Sequence, residues 1–102
     1  MWLLNISKSP RKEKRFRATF CKCKVKNQCK GSNHTTTDFG LKGGSTYIDH
    51  KDDKKKENYI ARHRVNENWN DPTTAGALSR FILWNKKTLK ASIDDFKKRF
   101  NI

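Results

Sequence analysis

The sequence predicts a small α+β domain, in which an N-terminal β-hairpin is followed by about three α-helices and preceded by a disordered basic arm. Apolar and polar residues alternate from Phe16 onward, a pattern typical of a strand. Helix-start signals stand at Asp71-Pro72 and at Thr88, where an oxygen-bearing side chain can accept the first free backbone N–H groups. Residues 1–15 are basic and offer little that could anchor them in a core. We therefore expect residues 1–15 to form a flexible arm and residues 16–102 to form one small domain.

The predicted hairpin begins with Phe16, Ala18 and Phe20, which share one face of an extended chain. This alternation continues to about Val25, and residues 27–33 then have the composition of a turn. The run Thr35–Phe39 is rich in β-branched residues and predicts a second strand. Gly40, with the glycines that follow it, is expected to end that strand.

Three helices are predicted after the hairpin. The first runs from Lys51 to Asn68, with acidic residues early and arginines late, an order that suits the helix dipole. The second starts at Asp71-Pro72 and continues through Thr73–Trp84, whose end is apolar on nearly every side. Thr88 should cap the last helix, whose apolar stripe is formed by Leu89, Ile93, Phe96 and Phe100.

The charge distribution predicts a polyanionic partner. The chain of 102 residues has 24 Lys and Arg against 10 Asp and Glu, which gives a net charge of +14. Residues 1–30 alone carry 10 basic and 1 acidic side chain. Such an excess is the electrostatic footprint of a nucleic-acid binder. The apolar start Met1–Ile6 is too short for a secretion signal and precedes the basic residues, so we expect a protein that is not secreted and contacts no membrane.

The candidate nucleic-acid-binding residues are the basic side chains of the arm, the hairpin and the helix ends. Arg62 and Arg64 stand near Tyr59 and Trp69, and such mixtures suit phosphate contacts and base stacking. The alternative is that these two aromatic residues belong to the core, which we favour for Trp69. The full candidate set is Lys12, Lys14, Arg15, Arg17, Lys22, Lys24, Lys26, Arg62, Arg64, Arg80, Lys86 and Lys87.

A cysteine cluster provides a weaker signal. Cys21, Cys23, Cys29 and His34 offer four soft ligands within fourteen residues, but the first pair is spaced more tightly than zinc sites usually are. The alternative is a group of three reduced thiols whose pKa values are lowered by the surrounding lysines. We expect neither a bound metal nor any cofactor.

No catalytic motif is recognisable in the sequence. Asp38-Phe39-Gly40 lacks the other elements of a kinase, and the glycines after it lack the Gly-Lys-Ser/Thr of a phosphate-binding loop. His50 and His63 could form a metal or nuclease site with nearby aspartates, but those acids lie in a run that reads as a solvated helix start. We therefore do not expect an enzyme.

Four ordered blocks of the sequence resemble a family of short basic proteins encoded by nucleocytoplasmic large DNA viruses, including mimivirus-like and marseillevirus-like giant viruses. The resemblance runs from about Asp38 to Ile102, and the arm and the cysteines lie outside it. It implies a viral origin and a place in the virion or in the cytoplasm or nucleus of an infected host cell, but no particular reaction. The blocks are Tyr47–Asp52, Tyr59–His63, Trp69–Gly76 and Ser79–Lys86.

Together these features predict a non-enzymatic viral protein that associates with nucleic acid, most readily DNA. Binding would be largely independent of sequence, because Lys and Arg displace counterions from phosphates. The alternative is a protein-interaction module that docks on an acidic capsid or host-chromatin surface. Such a module needs a buried anchor within a rim, so an exposed aromatic patch would favour it.

Overall fold

A computed structural model describes residues 1–23, 33–65 and 67–102. Three antiparallel strands, β1 (Trp2–Lys8), β2 (Lys14–Cys21) and β3 (His34–Leu41), form one sheet in the order β1-β2-β3. The helices α1 (Tyr47–His50), α2 (Asp53–His63), α3 (Ala75–Leu78) and α4 (Leu89–Phe100) follow it, and α3 continues directly into a π-helical turn, Ser79–Leu83. The predicted two-stranded hairpin with three helices is therefore wrong.

The prediction of a disordered N-terminal arm is also wrong. β1 pairs along β2, from Trp2 opposite Cys21 to Lys8 opposite Phe16, and Leu3 is only 2% exposed. The short apolar start has the length of a strand, and β2 supplies the partner that its backbone groups and side chains need. Of the basic residues from Arg11 to Arg15, Arg11 and Lys12 thus lie in the connection between two strands, and Lys14 and Arg15 belong to β2.

The second predicted strand is confirmed, since β3 spans the Thr35–Phe39 run and pairs with β2 through Phe16 opposite Phe39. β2 starts two residues earlier than expected and ends at Cys21. The remainder of the predicted first strand and most of the predicted turn, residues 24–32, lie outside the described residues.

The core lies between the sheet and the helices that follow it. Phe20 and Phe39 from the sheet pack in one cluster with Leu78, Ile82 and Phe96 from α3, the π-helical turn and α4. All five side chains have 0% exposure. Burial of large aromatic and aliphatic side chains is the main driving force for a domain of this size.

Two helices differ from the sequence prediction at their starts. Asp71 accepts hydrogen bonds from the N–H and hydroxyl of Thr73, so it stabilises a turn and does not cap the helix. Thr74 is the N-cap instead, and its hydroxyl accepts from Ala77 N–H. α2 is shorter than predicted. It begins at Asp53, because Asp52 caps it by accepting hydrogen bonds from the backbone N–H groups of the next turn, and it ends at His63.

The fourth helix, α1, is a helical turn that the sequence also predicts at Tyr47 and Ile48, but its cap is Thr46 and not the expected Ser45. Thr46 and Asp49 form a capping box at its start, and Lys51 in a left-handed conformation (φ 57°) ends it after one turn. The predicted Thr88 cap of α4 is confirmed, with its hydroxyl accepting from Ala91 N–H at 3.2 Å.

At the end of α3 the helix widens into the π-helical turn, where Trp84 N–H donates to the Ser79 carbonyl at 3.1 Å. The bond spans five residues rather than four, so the turn holds one residue more than an α-helical turn. In the described parts of the chain, no helix combines the length and the apolar character needed to cross a membrane.

Candidate nucleic-acid interface

Arg15, one of the predicted binding residues, joins the sheet to α1. Its guanidinium donates two hydrogen bonds of 2.7 Å to the two carboxylate oxygens of Asp49, and one of 3.3 Å to the Thr46 hydroxyl. The hydrogen bond to Asp49 raises the pKa of Arg15 and lowers that of Asp49. A bidentate ion pair of this kind holds both side chains in one orientation. Arg15 therefore holds the fold together and is poorly placed to bind phosphate.

Arg17 is engaged in the same way within the sheet. It donates to both oxygens of Asp38, at 2.8 and 3.1 Å, from the position directly opposite on β3. The Ser9 hydroxyl also donates to this carboxylate, and these hydrogen bonds, Arg17 first, lower the pKa of Asp38. Two of the predicted binding residues thus have internal carboxylate partners.

Arg80 is half-buried and has no carboxylate within ion-pair distance in the described residues. It donates to the Trp84 carbonyl at 2.9 Å, and its guanidinium lies 5.5 Å from the ring centre of Trp69 and 5.0 Å from that of Phe81. Burial, and then the charge of Arg99, lower its pKa. These contacts make Arg80 mainly a packing residue, and Trp69 lies partly buried against the core as predicted.

The other predicted basic residues point mostly to solvent. Lys14 is partly buried, and Lys24 and Lys26 lie outside the described residues. The exposed members of the set are Lys12, Lys22, Arg62, Arg64, Lys86 and Lys87.

Lysine and arginine differ sharply in their contacts with carboxylates. All ten Asp and Glu residues lie in the described parts of the chain. Within those parts the basic side chains within 4.0 Å of a carboxylate are Arg15, Arg17, Arg99 and His63, and no lysine is among them. The exposed lysines of the described residues are therefore left to interact with solvent and with anions from outside.

A groove runs between α2 and the segment that connects β3 to α1. It consists of two adjoining cavities of about 530 and 520 Å³, which share Ser45 and Trp84. The first cavity is also lined by His50, Lys55, Asn58 and Arg62. The second cavity is also lined by Lys14, Tyr59, His63, Glu67 and Ser79, among others.

A column of stacked rings forms one wall of this groove. Tyr59 lies nearly parallel to Trp84, at 5° and 4.4 Å between ring centres, and His63 stacks on Tyr59 at 4.2 Å. Burial raises the pKa of Tyr59 to about 12, so the phenol is neutral at physiological pH. The column fixes the shape of the groove, because each ring leaves its neighbour little freedom to move.

Sequence reasoning missed Lys55 and Asn58 as groove residues. Together with Arg62 they stand at positions i, i+3 and i+7 of α2 and so share one helix face. That spacing was a usable signal.

Lys56, on the neighbouring face of α2, was also missed. Its ammonium donates to the Asn85 carbonyl at 2.7 Å. Its pKa is lowered by burial and then by the charges of Arg80 and Lys86. Lys56 therefore lies close to the positive charges of Arg80 and Lys86, and its ammonium joins α2 to the segment after the π-helical turn.

The cysteine cluster has a different arrangement from both predictions. Cys21 is buried and disulfide-bonded, so its sulfur is not the thiolate that zinc binding or thiol chemistry requires. Cys23 N–H contacts the Cys21 sulfur at 3.4 Å, and His34 is exposed opposite Cys21 at the start of β3. Cys29 lies outside the described residues, among which no group of three or more His, Cys, Asp or Glu could hold a metal ion.

The histidines and aspartates around α1 and α2 do not converge on a common point. His50 Nδ1 accepts from Asp52 N–H at 2.9 Å, and Asp53 accepts from the Tyr47 hydroxyl. Asp49 is held by Arg15, and His63 lies 3.6 Å from Glu67. Each of these side chains thus has a contact of its own within the fold, although the buried Nε2 of His50 has no hydrogen-bond partner among the described residues.

Comparison with known proteins gives one match. A model described as a family of unknown function (DUF5754) matches residues 4–63, which span β1 to the end of α2. No curated protein and no solved structure matches the chain. The matched region includes the N-terminal strand that the resemblance to giant-virus proteins did not cover.

Proposed function

We propose that this chain, which belongs to the family of unknown function DUF5754, is a non-enzymatic protein that associates with nucleic acid, most readily DNA. Its lysines and exposed arginines would contact phosphates largely without regard to sequence. The net charge of +14 supplies the attraction, and the release of counterions from the nucleic acid supplies the free energy.

The observation that carries this proposal is the separation between lysine and the carboxylates. In the described residues, arginine and histidine make every close contact between a basic side chain and a carboxylate. A phosphate can therefore approach Lys55, Lys86 or Lys87 without breaking an ion pair that stabilises the fold. Binding through these residues needs no rearrangement, which favours fast and reversible association.

The resemblance to proteins of giant viruses adds a setting to the proposal. We place the protein in the virion or in the cytoplasm or nucleus of an infected cell, where it would meet a large amount of viral DNA. Binding without sequence preference suits packaging or protection of such DNA better than regulation at a few sites.

A salt series tests the proposal. We expect the purified chain to bind labelled duplex DNA, single-stranded DNA and RNA at low ionic strength, measured by fluorescence anisotropy. Affinity for the duplex should fall linearly on a log–log plot, with a slope of roughly −0.9 per phosphate contact. Absence of binding to all three nucleic acids at low salt would overturn the proposal.

The alternative, docking on an acidic protein surface, has one specific observation in its favour. Val65 is 82% exposed beside Arg64, and Leu41 is 69% exposed beside Lys42, so each apolar side chain has a basic neighbour. No aromatic residue is among the large exposed apolar side chains of the described residues. Competition separates the two candidates. An acidic polypeptide that binds tightly while nucleic acid does not would favour docking.

A further inference from the structure

We infer that the groove between α2 and the β3–α1 connection binds one nucleotide of a single-stranded nucleic acid, with its phosphate in the first cavity and its base in the second. This inference deepens the proposed function and rests on it. It goes further because it assigns the unpaired strand as the preferred ligand and the groove as the place of contact.

The first cavity has the chemistry of a phosphate site. Lys55 and Arg62 line it from one face of α2, and none of its lining residues is acidic. Ser45 and Asn58 add neutral groups that can donate hydrogen bonds to phosphate oxygens. Neither cation has a carboxylate within 4.0 Å in the described residues. An entering phosphate would neutralise two charges that the fold leaves uncompensated.

The second cavity has the chemistry of a base site. His63, Tyr59 and Trp84 line it as the ring column, in which Trp84 and His63 both stack on Tyr59. A base would therefore stack on an outer ring of the column, and the side chain of His63 is 42% exposed. Such stacking does not depend on the base sequence.

Glu67 also lines the second cavity, 3.6 Å from His63. Its carboxylate repels phosphate and can accept hydrogen bonds from N–H groups on base edges, including the imino group of thymine and uracil. Lys14 lines this half as well and offsets the charge of Glu67, whereas Lys55 and Arg62 in the first half face no acidic residue. The first half is therefore the more positive, and this difference orients the nucleotide.

Size and pairing favour a single strand. The second cavity, of about 520 Å³, is large enough for one nucleotide unit but not for a base pair with its stacked neighbours. In a duplex the bases are stacked and paired, and removing one from the stack costs a few kcal/mol. A single strand offers the base without that cost. Duplex DNA would instead be contacted by the exposed lysines and arginines outside the groove.

Blocking the groove without changing the charge is the decisive experiment. Ser45 is exposed, is common to both cavities and makes no hydrogen bond to other described residues that would be lost on substitution. We expect Ser45→Phe to weaken binding of a short oligo(dT) and of an oligo(U) by about tenfold, the effect of losing one stacked base. Binding of a duplex of equal length should be unchanged. The oligo(dT) and oligo(U) arms show whether a DNA strand or an RNA strand is the better ligand.

A matched pair of charge variants tests the phosphate half. Lys55→Gln with Arg62→Gln removes two charges inside the groove, whereas Lys54→Gln with Arg64→Gln removes two exposed charges at neighbouring positions that do not line it. Both variants lose the same long-range attraction, so duplex affinity should fall equally. Only the first should lose the preference for single strands, by about a further fivefold.

The outcomes separate this inference from the proposed function. If no nucleic acid binds the wild-type chain, the proposed function is wrong and so is the inference about the groove. If nucleic acids bind but Ser45→Phe binds oligo(dT) like wild type, the groove inference alone is overturned. Circular dichroism confirms that each variant is folded, and Asn58→Trp, which fills the first cavity from an exposed position of α2, replaces Ser45→Phe if that variant is not.

Discussion

Strand β2 and helix α2 both carry several basic residues, yet the two elements use them in opposite ways. On β2, Arg15 and Arg17 each donate two hydrogen bonds to an aspartate of another element. On α2, Lys55 and Arg62 have no carboxylate within ion-pair distance in the described residues. The same kind of charge therefore stabilises the fold in one region and remains open to ligands in the other.

The difference follows from where the acidic residues are placed. β2 is the central strand, so β3 lies beside it with Asp38, and the capping box of α1 brings Asp49 within reach. The acids at the start of α2 are engaged locally, since Asp52 caps the helix and Asp53 accepts from the Tyr47 hydroxyl. Arginine suits the paired positions, because its planar fork matches both carboxylate oxygens.

The largest expected effect comes from removing β1, the strand that pairs with one side of β2. A chain that starts at Phe16 lacks β1 with its buried Leu3. It also lacks Ser9 and Arg15, which follow β1 in the sequence. We expect it to be unfolded, because the total stability of such a domain is only about 5–15 kcal/mol, and it should show no cooperative thermal transition by circular dichroism. The matched control, Arg11→Gln with Lys12→Gln, removes charge from the exposed turn only and should melt like wild type. A cooperative transition in the truncated chain would mean that β2 does not depend on β1.

A smaller effect should separate the two regions directly. Arg15→Gln removes a half-buried pair and should lower the free energy of unfolding by about 1 kcal/mol, with little change in affinity for nucleic acid. Arg62→Gln should do the reverse, with stability within about 0.5 kcal/mol of wild type and weaker binding. Urea denaturation and anisotropy on the same samples measure both quantities. Equal loss of affinity in the two variants would contradict the division between paired and open charges.

The smallest expected effect is the response to acid. The pKa values of Asp38 and Asp49 lie below their ordinary value of 3.8, because arginine hydrogen bonds favour the ionised carboxylates. The unfolded chain then takes up protons at a higher pH than the folded chain does. The stabilisation is complete above about pH 5 and is lost as the pH falls towards the lowered pKa values. We expect the melting temperature of Arg15→Gln to depend less on pH in this range than that of wild type or Arg62→Gln.

Local patterns in the sequence predicted those elements whose signals lie within a few residues. The Thr88 cap and the Thr35–Phe39 strand are of this kind, and both are confirmed. The first strand was missed because Trp2–Lys8 lacks the regular alternation of apolar and polar residues that indicates a half-buried strand. Its apolar residues gain a role only once β2 lies beside them.

The site depends even more on tertiary packing. The pairing of Arg17 with Asp38 requires the register of two strands, and the pairing of Arg15 with Asp49 requires α1 to lie against the sheet. From residue type alone, Arg15 and Arg17 were predicted to bind nucleic acid in the same way as Arg62. The groove likewise depends on tertiary packing, because Tyr59 of α2 stacks on Trp84, which follows the π-helical turn.

The π-helical turn limits how the length of this chain can vary. Ser79–Leu83 holds one residue more than an α-helical turn, and Trp84 follows directly after it. Loss of a single residue there would let the segment close as an α-helix and rotate the Trp84 side chain by about 100° around the axis. The net charge and the cap of α4 could remain as they are, while the indole would leave its place on Tyr59. Natural relatives that keep the groove should therefore keep the number of residues in this turn.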